Sequence, residues 1–380
     1  MVLKKVRGSL EWSLLQATKI EPAPSTPPLL RSLLSSHTLA IHLLLHNFLL
    51  PSLLKLCSNR LDMACKIKTW YAILVLLKLV SQLQDCAHAA PQVPCFFIFG
   101  DSLADNGNNN HLATDAKANY PPFGIDFLNQ TSTGRFTNGR TTVDVIGELL
   151  GLDKIIPSFA TARARDILIG VNYASGGAGI RDETGKQLGG RISLNRQLQN
   201  HKVTLSSLIK LLGTRESAAN HLNKCLYYVA MGSNDYLNNY FVPGYYNTSR
   251  LYTPEQYAKV LIVQYYKQLK RLYHLGARKI ALPGLGPVGS IPYAFSNLCR
   301  SNVATCVANI NSAAQVFDAR LVLLVDRLNR DLKDAHFIYL NSSGMSSGDP
   351  SVLGFKVVDV GCCPVRSDGQ CIPKLKSVQK

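Results

Sequence analysis

The sequence predicts an α/β protein in which helices cover both faces of a central parallel sheet. Two observations carry this prediction. Short apolar runs alternate along residues 91–380 with longer segments that have the 3.6-residue spacing of amphipathic helices. Residues rich in Gly, Asn and Ser follow several of these runs directly, and in open α/β sheets the edge after the strands is where ligands bind. A single domain with a parallel sheet covered on both faces is therefore expected over residues 91–380.

The individual elements follow from length and periodicity. Apolar runs of strand length, typical of strands buried on both faces, occupy residues 93–99, 167–173, 225–231, 279–283 and 337–340. Helical spacing occupies residues 141–150, 192–212, 255–275 and 303–332. The segment 111–140 between the first strand and the first helix is rich in Pro and Gly, which predicts a long loop.

Composition excludes some classes of protein. The chain has 380 residues, 46% of them hydrophobic and 17% charged, which is too apolar for a disordered chain. The formal net charge is +17, but the basic residues are scattered and no basic run alternates with aromatics, so no nucleic-acid partner is predicted. A basic solvated surface is the plain interpretation, and attraction to an anionic matrix such as a cell wall is the alternative.

The N-terminal region resembles a targeting segment that starts late. Residues 63–90 contain a basic start, an apolar stretch and a small-x-small end at Ala87–Ala90, which predicts a secretory signal peptide and an extracellular protein. Residues 1–62 are interpreted as a non-native or disordered upstream extension. An apolar run at 39–54 is interrupted by His42, His46 and Pro51, so no stable membrane span is predicted in the mature protein, although a signal-anchored protein is the alternative.

Cysteines and glycosylation motifs also fit export. The chain has ten cysteines, of which seven lie after residue 90, so disulfides are expected with one cysteine either free or without its partner. No zinc or other metal site is predicted, because paired Cys-x-x-Cys or Cys/His spacing is missing from the sequence. Three N-x-S/T motifs predict glycosylation at Asn129, Asn247 and Asn341.

Three short motifs after predicted strands carry possible chemistry. Ser102, in Gly100-Asp-Ser-Leu, would hold a nucleophilic hydroxyl on a strand-to-helix turn, or would simply cap a helix. Gly176 and Gly177, in a Gly-rich turn, would bring backbone N–H groups close to a ligand, or would only allow a tight loop. Asn234 could donate its amide to an oxyanion or cap a turn. Each motif is ambiguous alone, whereas three in this order indicate a serine hydrolase.

These motifs, together with several others, carry a family resemblance. The segments that match are Phe-Gly-Asp-Ser-Leu-Ala-Asp-Asn-Gly-Asn-Asn from residue 99, Asn-Tyr-Ala-Ser-Gly-Gly-Ala-Gly-Ile from 172, Gly-Ser-Asn-Asp-Tyr from 232, and further stretches at 135–140, 285–292 and 354–363. They resemble the plant GDSL esterase/lipases of the SGNH hydrolase superfamily. The resemblance implies the SGNH hydrolase fold, a flavodoxin-like α/β/α sandwich with a central parallel sheet. It also implies Ser102 as nucleophile and an oxyanion hole formed by Ser102, Gly177 and Asn234, with Gly176 as an alternative to Gly177. It implies no cofactor.

Other candidate residues are set aside. The Gly284-Leu-Gly-Pro-Val-Gly289 stretch matches a dinucleotide-binding pattern, but Pro287 removes an N–H and Asp318 lies too far downstream. Asp331 to His336 forms an acid/histidine cluster with the wrong spacing, expected at a helix-to-strand junction. His201, His221 and His274 lie in polar helical sequence and are expected on the surface.

One departure from the resembling family concerns the catalytic base. That family has an Asp-x-x-His segment after its cysteine-rich stretch, whereas this sequence continues from Cys371 to Lys380 without one. We expect a C-terminally truncated domain. The predicted function is a secreted serine hydrolase that cleaves lipid acyl esters or acetylated cell-wall esters through an acyl-enzyme. The alternative is an inactive secreted protein that binds lipid or carbohydrate.

Overall fold

The computed structural model describes residues 90–373 except 300, 346–347, 355, 358–359, 362 and 367–369, together with Tyr71, Leu74, Val75 and Lys78. The chain divides into two units, and every element below belongs to the one that contains Pro91–Lys380. The predictions for residues 1–62 lie outside the described residues, as does almost all of the predicted signal peptide. No helix in the described part of the chain has the length and apolar character that a membrane crossing requires.

A four-stranded parallel sheet forms the centre of this unit. Its strands are β1 (Phe96–Phe99), β2 (Leu226–Val229), β3 (Lys279–Pro283) and β4 (His336–Leu340), and they lie side by side in chain order. All four residues of β1 and all five of β3 are buried, as expected for parallel strands covered on both faces. The central parallel sheet is thus as predicted.

Helices fill the connections between the strands. The α-helices are α1 (Thr142–Leu149), α2 (Leu194–Leu212), α3 (Arg215–Leu222), α4 (Ser233–Asp235), α5 (Thr248–Leu251), α6 (Pro254–His274), α7 (Val303–Asp331) and α8 (Ser342–Met345). Short 3₁₀ or π segments lie at Leu128–Gln130, Ala164–Leu168, Lys186–Leu188, Tyr236–Tyr240, Val288–Ser290, Ala294–Leu298 and Pro350–Leu353. The four predicted helices are present within a few residues of their expected ends, and α3 was not predicted.

The helix starts follow from capping chemistry. Thr141 and Asp144 form a capping box at α1, and Thr253 and Gln256 form another at α6, where Pro254 takes the first helical position. These interactions satisfy N–H groups that have no partner inside the helix.

The two faces of the sheet are covered unequally. Phe97, Tyr227, Ile280 and Phe337 point to one face and pack in a large apolar core with α2, α3, α6 and α7. Phe96, Ile98, Leu226 and Tyr228 belong to the other face, where Val143 and Ile146 of α1 cover them. Helices therefore lie on both faces of the β1–β2 half of the sheet.

One strand prediction was wrong in its extent. Residues 164–168 form a 3₁₀ turn, and only the following segment runs beside β1, with a single parallel bridge between Ile98 and Asn172. The amide of Phe96 donates to the carbonyl of Ile169 at 2.9 Å, and the amide of Ile98 donates to Val171 at 3.0 Å. Gly170, with φ +121°, interrupts the segment where its backbone lies against Phe96.

The expectation that His201 lies on the surface was also wrong. His201 is fully buried in α2, with Phe97 and Tyr227 packed edge-to-face against its ring. Burial lowers the pKa of its imidazole to about 3, so the side chain is neutral at physiological pH. His221 is half-buried and His274 is exposed.

Six cysteines form three disulfides, in agreement with the expectation of disulfide bonds. The pairs are Cys95–Cys225, Cys299–Cys306 and Cys363–Cys371. The seventh cysteine after residue 90 is Cys362, which lies outside the described residues.

Candidate active site

Ser102 lies in the turn that immediately follows β1. The amides of Ala104 and Asp105 both donate to the carbonyl of Asp101, which closes the turn around Ser102. The predicted strand-to-helix turn is a strand-to-loop turn, because no α-helix begins between β1 and Thr142. The Ser102 side chain is partly exposed, and within the described residues neither its hydroxyl nor its amide forms a hydrogen bond. A hydroxyl in this position is available to react.

Asp105 ties this turn to the Gly-rich loop. It is completely buried, and its carboxylate accepts the amides of Gly107 and Asn108 at 2.8 Å each and that of Gly176 at 2.9 Å. Burial raises the pKa of Asp105 to about 6, and the bonded N–H groups oppose the rise. The group is therefore an anion at neutral pH and holds the two loops together.

Two asparagines extend the same connection. The amide group of Asn108 donates to the carbonyls of Asn172 and Ala174 at 2.9 and 2.8 Å. That of Asn109 donates to Gly176 at 3.0 Å, while its oxygen accepts the Ser175 hydroxyl at 2.5 Å. Because these groups are buried, their hydrogen bonds fix the loop after Asn172 against the turn that carries Ser102.

Gly176 and Gly177 have different environments. The Gly176 amide is engaged by Asp105, and a methyl group added at Gly176 would lie 2.7 Å from the ring of Phe136. Gly177 has φ +76°, which favours glycine, and its amide has no acceptor among the described residues. The next residue, Ala178, has its own amide bonded to Ser175 at 3.1 Å. Gly177 is thus the residue of this pair with a free N–H.

Asn234 approaches the same loop from the end of β2. It lies in α4, and its side-chain nitrogen donates to the carbonyl of Ala178 at 2.9 Å. Its side-chain oxygen accepts a hydrogen bond from the side-chain nitrogen of Asn238 at 2.7 Å. Only one of its two N–H bonds is used for Ala178, so the second remains to be donated. The structure places Asn234 beside the residue that follows Gly177.

A second buried carboxylate supports this side of the site. Asp235 accepts the amides of Ile180 and Arg181 at 2.8 and 3.0 Å and the Thr184 hydroxyl at 2.7 Å. Burial raises the pKa of Asp235 to about 6. Burial also raises the pKa of Asp101 to about 6, and the negative charge of Asp235 contributes to this rise. The two acids therefore belong to one electrostatic environment at the edge of the sheet.

The sequence indicated Ser102, the glycine pair and Asn234 as candidates, but it did not reveal the residues that hold their loops. Asp105, Asn108, Asn109 and Asp235 are buried and bond mainly to backbone groups of other segments. The crowding of Asn and Asp over residues 105–110 was a signal of this role, because so many short polar side chains exceed what one turn needs.

Within the described residues, those set aside form no hydrogen bond with Ser102. None of the described histidines is hydrogen-bonded to Ser102. The cluster at the end of α7 lies at a helix-to-strand junction, since α7 ends at Asp331 and β4 begins at His336. In the Gly284–Gly289 stretch, the amide of Leu285 is bonded to Asp318 and that of Gly289 to Asn311. Those amides are not free for a pyrophosphate.

One group of metal-type side chains occurs in the described part of the chain. Cys95, His221 and Cys225 place their ligand atoms within 4.8 Å of one another. The two cysteines are joined in a disulfide, so they offer no thiolates, and the His221 nitrogen lies 2.9 Å from the carbonyl of Leu168. This arrangement does not fit a metal ion.

The three predicted glycosylation residues are all exposed. Asn129 lies in the Leu128–Gln130 turn, Asn247 precedes α5 and Asn341 follows β4. Their side chains are accessible to a glycosyltransferase, and glycosylation of each stays a prediction.

Comparison with known proteins agrees with this geometry. The model of the GDSL-like Lipase/Acylhydrolase family matches residues 96–370. GDSL esterase/lipase At1g29670 of Arabidopsis thaliana is 52% identical over 310 residues, covering 80% of this chain and 84% of that protein. GDSL esterase/lipase At4g18970 of the same plant is 48% identical over 307 residues, covering 79% of this chain and 84% of that protein. The matched region contains Ser102, both loops and Asn234, and the chain belongs to the GDSL-like lipase/acylhydrolase family.

Proposed function

We propose that the protein is a serine hydrolase that cleaves carboxylic esters through an acyl-enzyme. One observation carries this proposal. The hydroxyl and amide of Ser102, in the turn after β1, and the amide of Gly177 form no hydrogen bond with any described residue. Both amides are of the kind that stabilises an oxyanion, and the second side-chain N–H of Asn234 supplies a third donor. The names of the related plant proteins, esterase/lipases, support the same chemistry.

The proposed reaction has two steps. The Ser102 oxygen attacks the acyl carbon, and the carbonyl oxygen acquires a negative charge that the N–H groups of Ser102, Gly177 and Asn234 stabilise. The bond to the alcohol breaks and an acyl-Ser102 ester remains. Water then attacks the acyl carbon, the Ser102–acyl bond breaks, and a carboxylic acid leaves. The engagement of the Gly176 amide by Asp105 supports Gly177 as the loop donor.

A base must take the Ser102 proton and deliver it to the leaving alcohol. The family resemblance implies for this role a histidine of an Asp-x-x-His segment after the cysteine-rich stretch, and we propose that assignment. Asp85-Cys-Ala-His88, in the predicted signal peptide, is not that segment. Peptide mapping of the protein purified from its source tests this assignment. A protein that reacts at Ser102 but contains no such peptide would contradict the assignment of the base and leave the nucleophile unaffected.

The substrate class is proposed as lipid acyl esters or acetylated cell-wall esters. Leu103, directly beside Ser102, is 71% exposed and offers an apolar surface to an acyl group. We also propose that the protein is secreted, with residues 63–90 as signal peptide. Three disulfides and three exposed N-x-S/T asparagines support an oxidising, extracellular environment.

Covalent labelling tests the nucleophile. A fluorophosphonate forms a stable adduct only with an activated serine, and mass spectrometry of the tryptic peptides then identifies the modified residue. We expect modification of Ser102, and no modification of Ser102→Ala at equal concentration. Heat-denatured protein serves as a control for non-specific reaction. If the native protein is not modified, the hydrolase proposal is wrong, and the inactive lipid- or carbohydrate-binding alternative replaces it.

A further inference from the structure

A groove of about 890 Å³ lies between α6 and the segment that leads into α2. Ser102, Gly177 and Asn234 do not line it. On the α6 side its wall includes Lys259, Lys267 and Arg271, and on the other side it includes Arg181 and Asn195. This volume lies within the usual range for binding sites of small ligands or of a few sugar units of a polymer.

The charge of the groove is mainly positive. Its lining contains four cationic side chains and one carboxylate, that of Asp182. Arg181 is paired with Glu183 at 2.7 Å. The charged groups of Lys259, Lys267 and Arg271 are exposed and form no ion pair with any described residue. Lys267 and Arg271, one helical turn apart, are neighbours on the helix surface and can bind one carboxylate together.

A buried acceptor lies in the same groove. Gln268 is only 3% exposed, and its side-chain nitrogen donates to the carbonyl of Ile180 at 2.9 Å and to Asn195 at 3.1 Å. Its side-chain oxygen is buried and has no hydrogen-bond partner among the described residues. Because an unpaired buried acceptor is costly, a hydroxyl or N–H donor that reached this oxygen from a ligand would stabilise it.

Two exposed apolar side chains complete the lining. Tyr252 is 37% exposed and Val263 is 50% exposed, and both face the groove. An aromatic ring beside polar groups is a common surface for the apolar face of a sugar ring. A ligand that matches all these features has carboxylates for the cations, hydroxyl donors for Gln268 and a ring face for Tyr252.

We propose that this groove binds an acidic polysaccharide, a polymer whose sugar units carry free carboxylates. A neutral glycan carries no charge complementary to Lys267 and Arg271, and an acidic peptide backbone has no apolar sugar face to place against Tyr252. The proposal does not depend on ester hydrolysis at Ser102. It assigns a second surface by which the protein attaches to an anionic matrix, separate from the nucleophile.

Isothermal titration calorimetry with the full chain tests the proposal. The ligand is an unesterified galacturonic acid oligomer, compared with a neutral galactose oligomer of equal length and with polyglutamate of equal charge. We expect binding of the acidic sugar, with at least tenfold weaker binding of either comparison compound. Fluorophosphonate labelling of Ser102, measured on the same samples, separates failure of this proposal from failure of the proposed hydrolase.

Two variants that remove positive charge from the same helix, one inside and one outside the groove lining, sharpen the test. Lys267→Ala combined with Arg271→Ala is expected to weaken binding at least tenfold. Lys270→Ala, which removes an exposed charge outside the groove lining, is expected to change affinity less than twofold. The proposal is overturned if no acidic sugar binds, if polyglutamate binds as tightly, or if Lys270→Ala weakens binding as much as the groove variant.

Discussion

Replacement of Asn234 by alanine separates a role in the reaction from a role in the loop. The side-chain nitrogen of Asn234 lies 2.9 Å from the carbonyl of Ala178, and its oxygen lies 2.7 Å from the nitrogen of Asn238. The variant therefore removes two neutral hydrogen bonds. At about 0.5–1.5 kcal/mol each, we expect the free energy of unfolding to fall by about 1–3 kcal/mol.

The expected effect on the reaction is larger. If the second N–H of Asn234 stabilises the oxyanion, its removal raises the activation barrier by about 2.7–4 kcal/mol, which lowers kcat about 10²–10³-fold. KM for a p-nitrophenyl ester should change little, because the charge that Asn234 stabilises develops only in the transition state. The rate of fluorophosphonate labelling should fall in parallel, since that reaction also places negative charge on an oxygen beside Ser102.

Asn238→Ala is the matched control for this prediction. It removes the 2.7 Å hydrogen bond to Asn234 but leaves both N–H bonds of Asn234 in place. We expect less than a tenfold loss of kcat with a similar loss of stability. The reasoning is refuted if Asn234→Ala lowers kcat less than tenfold, or if both variants lower kcat equally, because the loss would then follow from loop stability alone.

Two further predictions concern stability. Arg135→Ala should lower the free energy of unfolding by about 3–5 kcal/mol in urea titrations, because it leaves the buried carboxylate of Asp144 unpaired. Arg140→Ala, which breaks the exposed pair with Glu148, should lower it by less than about 1 kcal/mol. Equal losses in the two variants would contradict this reasoning. Burial raises the pKa of Asp101 from 3.8 to about 6, so its stabilising contribution is complete below pH 3.8 and is lost as the pH rises through 6. Asp101→Asn should therefore flatten the decrease in the free energy of unfolding between pH 4 and pH 7. An unchanged pH profile would show that Asp101 does not titrate in this range.

The fold was predictable because parallel strands covered on both faces give continuous apolar runs. β3 and β4 lie within one residue of the predicted segments. The segment 167–173 was harder, because it pairs with β1 through scattered hydrogen bonds around Gly170. The close approach of Gly170 to Phe96 depends on the folded chain, so the local sequence does not reveal it.

The error at His201 had a local cause. Asn200 and Lys202 on either side are polar, and this suggested an exposed segment. The buried positions of α2 nevertheless recur with helical spacing at Leu194, Leu198 and His201. Counting that period rather than the neighbours in sequence would have placed the imidazole in the core.

The residues proposed to react were easier to select from the sequence than the residues that position them. Ser102, Gly177 and Asn234 each follow an apolar run in a short motif, and the family resemblance implied their roles. Asp105 is different, because its partner Gly176 is 71 residues away along the chain. Hydrogen bonds between such distant segments depend on the folded topology, and neither spacing nor composition predicts them.

The hydrogen bonds around Gly177 explain why a buried amide there can remain without an acceptor. A buried N–H without a partner costs about 1–3 kcal/mol, so a loop free to rearrange would turn this group toward a carbonyl. Asn109 binds the carbonyl of Gly176, which belongs to the same peptide group as the Gly177 amide, and the amides of Gly176 and Ala178 on either side are bonded to Asp105 and Ser175. This peptide group therefore cannot rotate without breaking buried hydrogen bonds. The buried polar network therefore maintains an unfavourable feature, and a donor kept free in this way needs no reorganisation when negative charge appears beside it.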